Sequence, residues 1–117
     1  MDEGMNVGLR EEIIAEITAK YRKEPWFDAE VLRIDVNDAY RKVKSRKCYE
    51  NTSYTDKQIE KDLYDRHFQD IKDIAIYRGI STSGAENEIS HNENGVSRTW
   101  RTEDEILGNI TAFVKIF

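Results

Sequence analysis

Apolar residues recur along most of this chain at helical spacing, with polar residues filling the gaps. Leu9, Ile13, Ile17 and Tyr21 stand four apart, and Glu11, Glu12 and Glu16 lie off that stripe. This predicts a first helix from about Val7 to Arg22, ended by Glu24-Pro25, because proline disfavours helical geometry at the residue before it. Asp28 is placed to cap a second helix, with Phe27 and Leu32 as its hydrophobic staple. Leu32, Val36, Ala39, Tyr40 and Val43 carry its apolar face, and the helix is expected to fray near Lys47 to Glu50. Thr55-Asp56-Lys57-Gln58 reads as a capping box, with Tyr54 and Ile59 spaced as a staple. The long third helix that follows shows a broad stripe through Ile59, Leu63, His67, Ile71, Ile74 and Ala75, widened by Tyr64 and Phe68. Such a stripe predicts burial against more than one neighbour, and Gly79 reads as its stop. A second capping box, Thr102-Glu103-Asp104-Glu105, starts a last helix. Ile106, Leu107, Ile110, Phe113, Val114 and Phe117 carry its stripe to the last residue.

Residues 84–100, GAENEISHNENGVSRTW, break this pattern. Asn94-Gly95 is a strong hairpin signal, because a type I′ turn needs positive φ at both central residues. A turn there pairs Glu93 with Val96, His91 with Arg98 and Ile89 with Trp100. An isolated hairpin is marginal in water. It is therefore expected to pack through Ile89, Val96 and Trp100 or to be ordered by a partner. The expected fold is a single domain over residues 1–117: mainly α, a compact bundle of about four helices, with a β-hairpin or extended loop before the last helix.

Composition narrows the function. Apolar residues are 38% and charged residues 35% of the chain, enough for one modest core. A net charge of −5 argues against a general nucleic-acid binder. Apolar runs reach only three or four residues, whereas a membrane span needs roughly 20. Met1-Asp2-Glu3 lacks the basic start of a secretory signal, so the expected location during synthesis is the cytoplasm. The single cysteine, Cys48, reads as an ordinary free thiol.

Candidate chemistry is sparse. His67 has Asp70 three residues on and lies beside the apolar stripe, which suits a core or boundary histidine better than a ligand. His91 falls in the hairpin. The sequence carries no HExxH, paired CxxC, GxSxG or phosphate-loop motif, so no catalytic residue, metal ligand or cofactor is assigned. Arg41, Lys42, Lys44, Arg46 and Lys47 place five basic residues in seven. They read either as a solvated helix end that suits the dipole or as a basic contact patch for an acidic surface or a nucleic-acid backbone.

The order of parts resembles the small head–tail connector (adaptor, or head-completion) proteins of tailed bacteriophages and prophages. That family has a long helix ending in a tyrosine-containing segment with glycine soon after, then a GxEG-like element, a GGxSxSY-like element and a closing helix. Tyr77-Arg78-Gly79 matches the helix end here, and Gly84-Ala85-Glu86 matches the first element, with Asn87 in place of its second glycine. Asn94-Gly95-Val96-Ser97-Arg98-Thr99-Trp100 matches the second, with Asn94 for one glycine and Trp100 as the aromatic. The similarity covers roughly residues 59–117. It implies a structural virion protein without enzymatic activity. Such a protein assembles as a twelvefold ring beneath the portal protein, extends the DNA channel without binding DNA specifically, and docks a downstream head-completion or tail protein. It implies no membrane association, and a place at the head–tail interface of the virion. Under this reading Ile89, Asn94, Gly95, Val96, Ser97, Arg98, Trp100, Phe113 and Phe117 are candidate subunit or portal contacts, and Tyr77, Gly79, Gly84 and Glu86 are family-like positions. The alternatives are a small DNA-binding regulator and a phage protein that sequesters a host protein.

Overall fold

The structure, a computed structural model, describes residues 8–83 and 102–114. Its elements are helices α1 (Leu9–Tyr21), α2 (Ala29–Lys47), α3 (Asp56–Ser83) and α4 (Glu103–Gly108), with a 3-10 turn at Tyr49–Asn51 between α2 and α3. No strand occurs among the described residues. The hairpin expected around Asn94-Gly95 lies outside them.

The apolar stripes are buried where their spacing predicts, except that Tyr64 of α3 and Val114 stay exposed. Leu9, Ile13 and Ile17 of α1, Leu32, Val36, Ala39 and Val43 of α2, and Leu63, Ile71, Ile74, Ala75 and Ile80 of α3 are buried in one cluster. α3 packs against α1, α2 and α4, which accounts for the width of its stripe. Ile106 and Ile110 close the cluster from the C-terminal side.

The helix starts are set by short-range bonds. Asp28 accepts from the amides of Glu30 and Val31 at 3.0 and 3.1 Å. The Thr55 amide donates to Gln58 Oε1 at 2.8 Å, and the Gln58 amide donates back to Thr55 Oγ1 at 3.2 Å. Thr102 and Glu105 repeat that box at the start of α4. α1 lacks a side-chain cap at Gly8. Glu60 of α3 supplies one instead, accepting from the Leu9 amide at 3.2 Å and from the Tyr40 hydroxyl at 2.6 Å. Burial, aided by that bond to Glu60, pushes the Tyr40 hydroxyl up to about 12.

Two expectations need correction. Gly79 does not stop α3, which runs on to Ser83. A Cβ at Gly79 would lie 3.1 Å from Cε3 and Cζ3 of Trp26, so the glycine serves a close approach between α3 and the turn before α2. Gly79→Leu is therefore expected to overpack this contact and lower stability by about 1–3 kcal/mol, read as a lower urea midpoint. Trp26 also packs on Tyr21 and Phe27, with ring centroids 5.3 and 6.5 Å away, so it has limited room to yield.

The last helix is also shorter than its apolar stripe. It ends at Gly108, and residues 109–114 continue as a non-helical strap. Gly108 and Asn109 are poor helix formers, and the end of α2 offers the strap an alternative partner. The Phe113 amide donates to the carbonyl of Lys47 at 2.8 Å, one of the C-terminal carbonyls of α2 that its own helix leaves unbonded.

α3 bends at His67, whose backbone (φ −128°, ψ 15°) leaves helical geometry. The residue is buried, as its place beside the stripe predicts, with Nδ1 2.9 Å from Asp70 Oδ2.

Candidate assembly surface

Of the basic run on α2, Lys42, Arg46 and Lys47 meet α4, the strap and α3, while Arg41 and Lys44 have partners on α2 itself. Arg41 pairs with Asp38 one turn earlier. Lys42 Nζ lies 2.8 Å from Glu103 Oε2 of α4. Lys44 Nζ stands 5.9 Å from the centre of the Tyr40 ring. Arg46 Nε donates to the carbonyl of Ile110 at 3.3 Å. Lys47 is buried, with Nζ 3.8 Å from Asp62 and 4.6 Å from the centre of the Phe113 ring. Only Lys47 of the run is buried; Arg41, Lys42, Lys44 and Arg46 stay exposed, each beside a partner on the same chain.

Arg78 is the first centre of this surface. Its Nε and Nη2 donate to Glu103 Oε1 and Oε2 at 2.8 and 3.1 Å, a two-pronged guanidinium–carboxylate pair. Its Nη1 donates to Asp38 Oδ2 at 3.1 Å. One side chain of α3 therefore ties α2 and α4 together. Hydrogen bonding to Arg78, with a further bond from Lys42, holds the Glu103 carboxyl down at about 2.

Asp35 sits at the edge of the same cluster and is less well served. It is buried, and its Oδ2 has no hydrogen-bond partner. Burial raises its pKa, Arg78 opposes the rise, and Asp38 and Glu103 add to it. A carboxyl whose folded pKa is raised destabilises the fold wherever it is ionised, and the penalty fades as pH falls through the folded value. Asp35→Asn should therefore raise the melting temperature at pH 7. The gain should shrink as pH falls through the acid range above 3.8, where the wild-type side chain also becomes neutral. Thermal melts of both proteins across that range check the sign.

The second centre is Asp62. Its Oδ2 accepts from the Tyr49 hydroxyl at 2.5 Å and lies 3.8 Å from Lys47 Nζ, while its Oδ1 lies 3.0 Å from Arg66 Nε. Burial and the bond to Asp62 push the Tyr49 hydroxyl well above its ordinary value. Tyr49, Tyr54 and Phe113 form a three-ring cluster, with centroids 5.5–5.9 Å apart. Asn51 Nδ2 donates to the Phe113 carbonyl at 2.9 Å and fixes the strap beyond the ring.

Of the contacts expected from sequence, Phe113 is half-buried in this ring cluster, Tyr77 is half-buried on α3, and Gly79 receives Trp26. Gly84, Glu86, Ile89, Asn94, Gly95, Val96, Ser97, Arg98, Trp100 and Phe117 lie outside the described residues. Sequence reasoning missed Asp35, Asp38, Asp62, Arg78 and Glu103 as a set. Arg78 stands inside the quoted Tyr77–Gly79 segment and Glu103 inside a capping box, but nothing local says that they meet. Among the described residues no group of His, Cys, Asp and Glu could hold a metal ion, and no helix is long and apolar enough to cross a membrane. What this surface does chemically is hold residues 102–114 on the helical body. Comparison with protein-family models, curated proteins and solved structures finds no match to this chain.

Proposed function

We propose that the chain is a structural adaptor of the head–tail connector kind, forming a ring beneath a portal protein and docking the next protein of the stack. The observation that carries this reading is the Arg78–Glu103 clamp. Residues 84–101 carry most of the motif resemblance, and the clamp joins the two elements that flank them, α3 and α4. A contact segment whose ends are already fixed loses less conformational freedom on binding than one on loose ends. The pairing of Arg41, Lys42 and Lys47 with acids of the same chain, with a net charge of −5, suits a wall that DNA passes better than a surface that retains it.

The test is electron microscopy of the purified chain mixed with the portal protein of the same genome. The expected result is ring density of this chain on the portal, lost in Trp100→Ala. If the wild-type chain neither co-sediments with the portal nor adds density to it, the reading fails. A salt-sensitive gel shift with duplex DNA would favour the regulator instead.

A further inference from the structure

We propose that the small cavity beside Trp26 and Phe27 is a binding site for a primary ammonium group, the end of a lysine side chain or of a small amine, with Asp35 as its anionic floor. The site lies where the chain turns into α2 and does not depend on the ring reading above.

Three parts of the chain build the cavity. Trp26, Phe27 and Asp28 come from the turn before α2, Val31, Leu32 and Asp35 from the first turns of α2, and Ala75 and Gly79 from α3. The two charged side chains in this lining are both acids. Asp28 is exposed at the rim, where one carboxylate oxygen caps α2. Asp35 is 8% exposed, and its Oδ2 is buried with no hydrogen-bond partner among the described residues. The small residues on α3 preserve the space, since a Cβ at Gly79 would already lie 3.1 Å from the Trp26 ring.

An ionised carboxylate buried without a bond is costly, and a donor or a cation at the orphaned oxygen relieves the cost. The cluster around it does not supply one. Arg78 is the cation whose field reaches Asp35. Its Nε and Nη2 are already bonded to Glu103, and its Nη1 to Asp38.

Size and charge then select the ligand. The cavity has a volume of about 10 Å³. Room of about 10–15 Å³ takes one water-sized group, and an ammonium head is of that size, whereas a guanidinium or a quaternary ammonium is not. The carboxylate floor excludes anions. Trp26 and Phe27, with ring centroids 6.5 Å apart, add aromatic surface that attracts cations. The apolar side chains of Phe27, Val31 and Leu32 suit the alkyl stem that carries the head. Water fits the same space but leaves the buried charge without a counter-ion, so a neutral hydroxyl is the control ligand.

The experiment is a titration of the full chain at neutral pH followed by ¹H–¹⁵N NMR. The probe is n-butylammonium chloride, with sodium chloride at matched ionic strength and 1-butanol as the neutral ligand of equal length. Saturable shifts are expected at the Trp26 indole and at the amides of residues 26–35 and 75–79, with a Kd on the order of 10 mM, as ligands of a few atoms bind. Butanol and tetramethylammonium should give no saturable shift there. Asp35→Asn keeps the shape of the side chain and should weaken binding about tenfold or more. Asp28→Asn keeps a competent helix cap and should leave binding close to that of wild type. A blocked peptide with one internal lysine separates the two sources of the group. Binding as tight as that of butylammonium assigns a protein lysine, and binding of butylammonium alone assigns a free amine. Equal binding of butanol overturns the proposal, because the cavity then takes a neutral donor. Binding lost in Asp28→Asn but kept in Asp35→Asn overturns it too, as does the absence of any saturable shift.

Discussion

Asp62→Ala is expected to lower the unfolding free energy by about 3–5 kcal/mol, the usual cost of leaving a buried charge without its partner. The side chains of Lys47 and Asp62 are only 8% and 10% exposed. Removing the carboxylate strands the Lys47 ammonium beneath Phe113 and takes the acceptor from the buried Tyr49 hydroxyl. Both losses act on the junction where α2 ends, the strap docks and α3 passes. The ring of Phe113 gives the ammonium some compensation, worth about 1–2 kcal/mol where water is excluded, which is less than the deficit. Adding Lys47→Met should recover much of the loss, because replacing both members of a buried pair with apolar groups is often close to neutral. Tyr49→Phe alone should cost about 1 kcal/mol, the worth of one ordinary hydrogen bond. Urea unfolding followed by circular dichroism measures all three, with a shifted midpoint and an unchanged slope marking a true stability change. A loss below about 1 kcal/mol for Asp62→Ala would mean that Lys47 finds water or another partner and is not trapped.

Glu103→Gln should cost about 2–3 kcal/mol at pH 7, and the cost should depend on pH in a stated direction. The carboxyl is held at about 2 against an ordinary value of 4.5. Each unit of such a difference corresponds to about 1.4 kcal/mol, and with the side chain 17% exposed part of the full value of about 3.5 kcal/mol is lost to screening. A depressed acid stabilises the fold fully above its unfolded value and loses that contribution as pH falls toward its folded value. The gap between wild type and Glu103→Gln should thus be constant above about pH 5, narrow below 4.5 and close near 2. Asp35 titrates with the opposite sign in the same acid range, so the comparison is between the two proteins at each pH and not along the wild-type curve. A gap that persists unchanged at pH 2 would show that the amide harms packing and that charge is not the cause. Since Glu103 ties α4 to both α2 and α3, the same substitution should also speed amide exchange in residues 103–108 beyond the global change.

Much of the fold was legible because its signals are local. Each cap at Asp28, Thr55 and Thr102 bonds to an amide two or three residues away, so residue type and spacing suffice to see it. The stripes of α1, α2 and α3 follow from helical periodicity, and every position quoted for them on α2 is buried. The same periodicity misled at the C-terminus. Ile106, Ile110 and Phe113 are spaced for a helix, yet only the first lies in one. The others reach the core and the ring cluster from a strap.

Sequence alone determined the helical class, the helix starts and most of the buried face, because those rest on interactions within a turn or two of the chain. Tertiary structure decided the rest. A glycine at 79 suits a helix stop or a close contact, and only Trp26, far away in sequence, selects the second. A basic run suits a solvated end or a binding patch, and only Glu103, Ile110 and Asp62 select Lys42, Arg46 and Lys47 from it as contacts to the rest of the fold. The direction of the chain after Gly108 was open until an unpaired carbonyl of Lys47 drew the strap toward α2. In each case the deciding partner lies many residues away, and a local pattern carries no information about which distant group will meet it.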